Sequence, residues 1–224
     1  MNKKMHKKKA PTDKSKRRSF PEEEREHPWL ELLLDAYHII DRGITGAIAA
    51  EVKKGKKLAC ARGCAACCRT HKDIPVFPLE LKGIIWYAVE KTQGPEREVL
   101  QAQLSAFRKD SGCPFLIDEA CSIHVVRPMA CRQFNVFERP CEEGEDPFHT
   151  RRQDVLDPVK KHVDQAFFLM LPFYGIESEK ERREAVETGA FQRMARELHG
   201  CNWPQLAQKM KEHDSRKTEQ TDPG

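Results

Sequence analysis

The nonapeptide Cys60-Ala-Arg-Gly-Cys-Ala-Ala-Cys-Cys68 places four cysteines within nine residues of a 224-residue chain. If these residues were helical, a turn of about 100° per residue would put all four thiols on one face. The triplet Cys64, Cys67 and Cys68 has the i, i+3, i+4 spacing that brings side chains together on a helix. We therefore interpret this segment as one half of a site with several sulfur ligands.

A second group of cysteines follows in the segment CPFLIDEACSIHVVRPMACRQF, which supplies Cys113, Cys121 and Cys131. These three are spaced too irregularly to share one helix, so they can join the first group only by folding. Zinc and iron–sulfur centres are the commonest reason for an intracellular protein to cluster its cysteines. The pattern therefore predicts a metal site that brings the two groups together.

Disulfide bonds are the competing interpretation of nine cysteines. The chain begins with a basic stretch, in which nine Lys or Arg residues lie between Lys3 and Arg18, and it lacks the apolar segment of a secretory signal. We therefore expect a cytoplasmic protein, in which disulfides are rare, and an odd number of cysteines also argues against full pairing. The metal interpretation is the stronger one.

The length and apolar pattern predict a mostly α, single-domain helical fold with a short β-hairpin, organised around a cysteine-bound metal centre. We expect this domain to span residues 28–213, between a disordered basic tail at 1–27 and a disordered polar tail at 214–224. The predicted hairpin, Cys113 to Val126, would be the only sheet. Helices are predicted at 28–52, 78–91, 96–109, 158–171, 179–199 and 204–212, with a short helical turn from Met129 to Phe134.

The predicted metal ligands are the seven clustered thiols: Cys60, Cys64, Cys67, Cys68, Cys113, Cys121 and Cys131. One tetrahedral zinc or one all-cysteine iron–sulfur cluster takes four thiolates, so seven exceed one such site by three. The sequence leaves open a single centre with spare cysteines and a two-metal centre with bridging thiolates.

Other residues near these cysteines have secondary roles in this interpretation. Arg127 and Arg132 bracket Cys131 and are candidates to donate hydrogen bonds to the thiolates. His124 is not assigned as a ligand, because in a strand it would point away from Cys121. Cys141 and Cys201 are interpreted as free thiols outside the site.

Three motifs in order resemble the YkgJ-type cysteine-cluster family of zinc- or iron-chelating proteins, which is related to flagellin lysine-N-methylases. They are GCAACCR at Gly63–Arg69, CPFL at Cys113–Leu116, and C-S-I-H-x2-R-P-x2-C-R-x-F from Cys121 to Phe134. The resemblance covers roughly residues 58–137 and implies a zinc, iron or iron–sulfur cofactor held by the motif cysteines in a bacterial cytosolic protein. The sequence departs from the family motif in the four-residue step from Cys60 to Cys64, where three is usual.

Metal binding is therefore the leading functional hypothesis. The alternative that the resemblance implies is an S-adenosylmethionine-dependent protein lysine methylase, and whether the chain is an enzyme stays open. The spacing Cys60-x3-Cys64-x2-Cys67 also matches radical S-adenosylmethionine enzymes. Those enzymes have a large α/β barrel, and the sequence around these cysteines does not show the alternating strands and helices of such a fold.

The sequence says less about partners. The basic tail could contact nucleic acid, but we interpret it as a solvated extension because no aromatic residue before Phe20 could stack on a base. No membrane role is expected, since no apolar run approaches the roughly 18 residues of a span. A protein partner is left open.

Overall fold

The computed structural model describes residues 16–221 and confirms the mostly helical fold class. The helices are α1 (Pro21–Glu26), α2 (Pro28–Lys53), α3 (Ala66–Thr70), α4 (Pro78–Trp86), α5 (Gly94–Ser105), α6 (Met129–Gln133), α7 (Pro147–Thr150), α8 (Lys160–Met170), α9 (Glu179–Thr188) and α10 (Trp203–Thr221). The strands are β1 (Pro75–Val76), β2 (Leu116–Ile117), β3 (Ala120–Cys121) and β4 (Arg196–Glu197). A π-helical turn, Tyr87–Lys91, extends α4 to the predicted end of that helix.

Helix α2 is the long element against which α4, α6 and α8 pack. It begins at Pro28, whose fixed φ suits a first helical turn, and its apolar residues recur every three or four positions. Leu30, Leu33, Tyr37 and Ile40 are almost fully buried along this stripe. The sequence prediction for this helix is therefore confirmed.

Glycine at position 43 allows α8 to approach α2 closely. A Cβ atom at Gly43 would lie 2.6 Å from Cγ of His162 on α8, whereas a Cβ at Gly46, one turn later, would meet nothing within 4 Å. We expect Gly43→Ala to lower the free energy of unfolding by about 1–3 kcal/mol through overpacking. Gly46→Ala is the matched control and should raise it by up to about 1 kcal/mol, because alanine favours a helix more than glycine does.

Chemical denaturation of the two glycine variants measures this difference. Equal stabilities of the Gly43 and Gly46 variants would contradict the close approach of α2 and α8 at His162.

The chain after α8 differs from the prediction of one long helix at 179–199. Helix α9 ends at Thr188 because Gly189 takes a left-handed conformation with φ 65°. The chain continues through a 3-10 turn into β4, which pairs antiparallel with β1 through Pro75↔Glu197 and Val76↔Arg196. The prediction that the hairpin is the only sheet is therefore wrong, since two strands far apart in sequence form a second one.

Both predicted tails contain ordered residues in the part of the chain that the structure describes. Phe20 packs edge-on against Trp86 with ring centroids 5.1 Å apart, and Arg17 forms an ion pair with Glu24. At the other end, α10 continues past residue 213 to Thr221. The rest of the predicted tails, residues 1–15 and 222–224, lies outside the described residues.

None of the helices within residues 16–221 combines the length and the apolar character that crossing a membrane requires.

Candidate metal centre

The first cysteine group is split between a loop and a short helix. Only Ala66–Thr70 is helical, so Cys67 and Cys68 lie on α3, while Cys60 and Cys64 precede it in a loop that turns at Gly63 with φ 83°. The expectation of one helical face for all four thiols is therefore wrong. A residue at φ 83° leaves the helical region, and glycine adopts this conformation without steric cost.

Backbone pairing fixes the start of this loop. Leu58 forms an antiparallel bridge with Phe137, and the amide of Ala59 donates to the carbonyl of Val136 over 2.9 Å. The amide of Val136 in turn donates to Sγ of Cys60 over 3.3 Å. This contact places Cys60 where an N–H group can stabilise negative charge on its sulfur.

The second group occupies the hairpin and the helix after it. In the hairpin, Leu116 pairs with Cys121 across the turn formed by Asp118 and Glu119, whose φ values of 45° and 61° match a type I′ turn. His124 begins a 3-10 turn after β3 and is not on the strand that was expected to carry it. Cys131 lies on α6, and Pro128 precedes that helix.

The two groups meet where α3 ends. The amide of Cys113 donates to the carbonyl of Cys68 over 2.7 Å. Gly112 lies at the same contact, and a Cβ atom there would be 3.4 Å from this carbonyl. The thiols of Cys67 and Cys68 interact, as do those of Cys68 and Cys113, and each of these interactions raises a thiol pKa. Residues 45 positions apart in the chain therefore have neighbouring sulfurs.

Mutual repulsion and burial both act on these thiols. The hydrogen bond to Cys113 is the largest cause that raises the pKa of Cys68, to about 12. Burial raises the pKa of Cys131, and repulsion from Cys121, Cys67 and Cys68 raises it further. Burial is likewise the main cause of the raised pKa values of Cys60 and Cys121. When such crowded, partly buried thiols lose their protons, a positive charge placed among them stabilises the thiolates.

Arg127 supplies one such charge. Its guanidinium opposes the rise in pKa of four thiols, those of Cys60, Cys67, Cys121 and Cys131. Its Nε atom is buried and has no hydrogen-bond partner among the described residues. A buried guanidinium N–H beside thiols is suited to donate to a thiolate.

Arg132 has a different role from the one that the sequence suggested. It donates to the carbonyls of Arg127 and Val125 over 2.9 and 2.5 Å, and its Nη1 donates to both carboxylate oxygens of Asp41. Its guanidinium also lies 4.0 Å from the ring centroid of Tyr37. Arg132 thus attaches the chain around Cys131 to α2, and its charge also lowers the pKa of Cys121 as a secondary cause.

Six of the seven predicted ligands are at least half-buried, and Cys64 is exposed. Electrostatic interactions connect the thiols of the two groups. The thiol of Cys60 interacts with those of Cys64 and Cys67, and that of Cys67 interacts with those of Cys121 and Cys131. Within residues 16–221, however, no group of three or more His, Cys, Asp or Glu side chains has an arrangement that could hold a metal ion. The structure therefore shows the thiols as neighbours and does not show the metal centre itself.

The structure also brings Cys141 to this neighbourhood, although the sequence analysis left it outside. Repulsion from Cys60 and Cys64 contributes to the raised pKa of its thiol, which is due mainly to burial. No spacing rule could have shown this, because Cys141 lies in a charged loop ten residues after Cys131. Cys201 lies elsewhere, in a groove beside Arg196 and Trp203, and its thiol contacts the carbonyl of Glu197 at 3.5 Å. All nine cysteines are free thiols in this structure.

Comparison with known families gives one match. Residues 59–154 match the family model CxxCxxCC, described as "Putative zinc- or iron-chelating domain". The matched region contains the seven predicted ligands, Cys141 and Arg127, and it confirms the resemblance inferred from the motifs. The comparisons with curated proteins and with solved structures gave no match.

Proposed function

We propose that this protein binds zinc or iron through Cys60, Cys64, Cys67, Cys68, Cys113, Cys121 and Cys131. The observation that carries the proposal is the meeting of α3, the segment at Cys113, the hairpin and α6 around one group of thiols. Four separate segments that each contribute sulfur suit a soft or borderline metal such as zinc or iron. The description of the matching family supports the same role.

The grouped thiols are chemically better suited to surround a bound cation than to remain without one. Thiolates are the form that binds a metal, and crowding without a cation keeps these thiols protonated. A bound ion would neutralise the thiolates and draw them into ligating positions. Metal binding should therefore release protons and order the loop at 60–65.

Metal analysis after anaerobic purification, together with a visible spectrum, tests the proposal. We expect zinc or iron in the protein; zinc would be colourless, and an iron–sulfur cluster would absorb in the visible range. Cys131→Ser should weaken metal binding at least about tenfold, since even outer partners of ligands contribute about 10–100-fold. Cys201→Ser is the matched control and should bind as the unmodified chain does.

A protein that stays free of metal after anaerobic purification and after incubation with zinc or iron would refute the proposal. Equal metal content and affinity in the Cys131 and Cys201 variants would instead show that Cys131 is not a ligand.

The S-adenosylmethionine-dependent methylase stays an alternative without support from the comparisons. Titration calorimetry with S-adenosylmethionine would measure the binding that this alternative requires.

A further inference from the structure

Cys68 and Cys113 are held together by the backbone. Because α3 ends at Thr70, the carbonyl of Cys68 has no partner within the helix, and the amide of Cys113 donates to it over 2.7 Å. Standard bond lengths limit the distance between the two Cα atoms to about 6.6 Å, within the range of roughly 4.4–6.8 Å that a disulfide bond spans. The backbone therefore places these two cysteines at a separation that a disulfide allows.

Two further contacts hold the same segments together. Nζ of Lys72 donates to the carbonyl of Asp110 over 2.8 Å, and Arg69 on α3 forms an ion pair with Glu119 in the turn of the hairpin. Neither contact involves a sulfur atom or a metal ion. We therefore expect α3 and the chain around Cys113 to stay adjacent in the metal-free protein.

The two thiols are neighbours at this contact and are accessible. The thiol of Cys68 interacts directly with that of Cys113, and both residues are partly exposed, so a small oxidant can reach them. Cys67 is a poorer partner for Cys68, because consecutive residues of a helix point about 100° apart and a bond between them would close a small, strained ring.

We propose that Cys68 and Cys113 form a reversible disulfide when the metal-free protein meets a peroxide, and that this bond closes the thiol cluster to zinc or iron. The second part rests on the proposed function, because the bond removes two of the proposed ligands. A bound ion would in turn protect both sulfurs, since a thiolate that ligates a metal is not free to attack the oxidant. The pair thus makes metal loading sensitive to oxidation.

The reaction consumes one peroxide for each disulfide. The thiolate of one cysteine attacks the O–O bond, which breaks, and a sulfenic acid forms while hydroxide leaves and takes up a proton to become water. The sulfur of the second cysteine then displaces the hydroxyl of the sulfenic acid, which leaves as a second water. Two thiols are thereby oxidised to one disulfide, the peroxide is reduced to two waters, and a thiol reductant reverses the bond by exchange.

Disulfide mapping in the full-length protein tests the first part. The protein is freed of metal with a chelator and of reductant by desalting, and is treated with about one equivalent of hydrogen peroxide. Free thiols are blocked with N-ethylmaleimide, and tandem mass spectrometry of the digest assigns the linked cysteines. We expect the bond between Cys68 and Cys113 to be the main disulfide in the unmodified chain and in Cys67→Ser, and to be absent from Cys68→Ser. Cys67→Ser is the matched control, because it removes the neighbouring thiol on α3 and leaves the pair intact.

Zinc measurements test the second part. The oxidised protein should bind zinc at least about tenfold more weakly than the reduced protein, since even outer partners of ligands contribute about 10–100-fold. Treatment with a thiol reductant followed by desalting should restore the binding. Loading with zinc before the peroxide is added should slow formation of the disulfide at least about tenfold.

The outcomes separate this inference from the proposed function. If the bond between Cys68 and Cys113 is absent from the oxidised, unmodified protein, or if another pair of cysteines forms the main disulfide, the inference is overturned. Equal zinc affinities of the oxidised and reduced proteins would overturn its second part. A reduced protein that binds neither zinc nor iron would overturn the proposed function and leave the mapped disulfide in place.

Discussion

Replacing Trp203 with alanine is expected to lower the free energy of unfolding by about 3–5 kcal/mol. Trp203 is the first residue of α10 and is 2% exposed. Its ring packs edge-on against Phe115 at 4.8 Å, and its Nε1 donates to the carbonyl of Leu198 over 2.9 Å. The truncation would leave a large cavity beside Phe115 and would remove one of the two hydrogen bonds that the carbonyl of Leu198 accepts, the other coming from the amide of Cys201.

Denaturant unfolding followed by circular dichroism measures this loss. Trp203→Phe is the matched control, because it keeps an aromatic ring against Phe115 and removes the N–H donor. It should lose about 1–2 kcal/mol, the cost of the lost indole hydrogen bond and of a smaller ring. If the alanine variant lost no more than the phenylalanine variant, the packing against Phe115 would not be a main source of stability. Phe115 lies two residues after Cys113, so metal affinity should fall in the alanine variant as well.

Replacing Glu80 with alanine is expected to cost about 2–5 kcal/mol of unfolding free energy, from two buried amides that lose their acceptor. Glu80 on α4 is fully buried, and its two carboxylate oxygens accept from the amide of Phe77 over 3.0 Å and from that of Met129 over 2.7 Å. The side chain thus joins the start of α4 to the start of α6, the helix that carries Cys131. Denaturant unfolding of the two proteins at one pH gives the difference.

Glu80→Gln is the matched control for the charge of this side chain. Burial raises the pKa of Glu80 to about 7, well above the usual value of about 4.5 for an exposed carboxyl. The folded chain therefore holds this proton more tightly than the unfolded chain, and the stability that it contributes is present below about pH 4.5 and is lost as the pH rises through about 7. Glutamine does not titrate, so the Glu80→Gln variant should lack this pH dependence. The difference in unfolding free energy between the unmodified chain and this variant should therefore shrink from pH 5 to pH 8, by an amount on the order of the free energy that corresponds to the pKa shift.

A deficit of the glutamine variant that is the same at both pH values would show that Glu80 has an ordinary pKa. An alanine variant as stable as the unmodified chain would show that the link between α4 and α6 does not depend on this carboxylate.

The helical part of the fold could be predicted from the sequence because its information is local. The apolar residues of α2 recur at helical spacing, proline marks the start of α2 and α4, and these helices lie where the pattern predicted them. The turn of the hairpin lies where the sequence predicted it, but its strands are only Leu116–Ile117 and Ala120–Cys121. The β-branched residues Val125 and Val126, which predicted a longer second strand, lie in a 3-10 turn. By contrast, β1 and β4 are two residues each and lie about 120 positions apart, so no local pattern could indicate that they pair.

The candidate site likewise has features that local sequence patterns predicted and features that they did not. Residue type and spacing predicted that the two groups of cysteines come together, and the structure joins Cys113 to Cys68 at the end of α3. Spacing alone was misleading for Cys60 and Cys64, because Gly63 ends any helix before α3 begins. It also gave Arg132 the role of a thiolate donor, whereas its hydrogen bonds go to Asp41 and to backbone carbonyls.

The sequence by itself determined that this chain is mostly helical and that its cysteine motifs resemble those of the CxxCxxCC family, because helical periodicity and motif order are properties of short stretches. Only the tertiary structure decided that Cys113 meets Cys68 at the end of α3 and that the charge of Arg127 acts on four of the thiols. The physical reason is that such arrangements depend on backbone contacts between distant segments, such as Cys68 with Cys113 and residues 57–60 with 136–138, which no local pattern in either segment indicates.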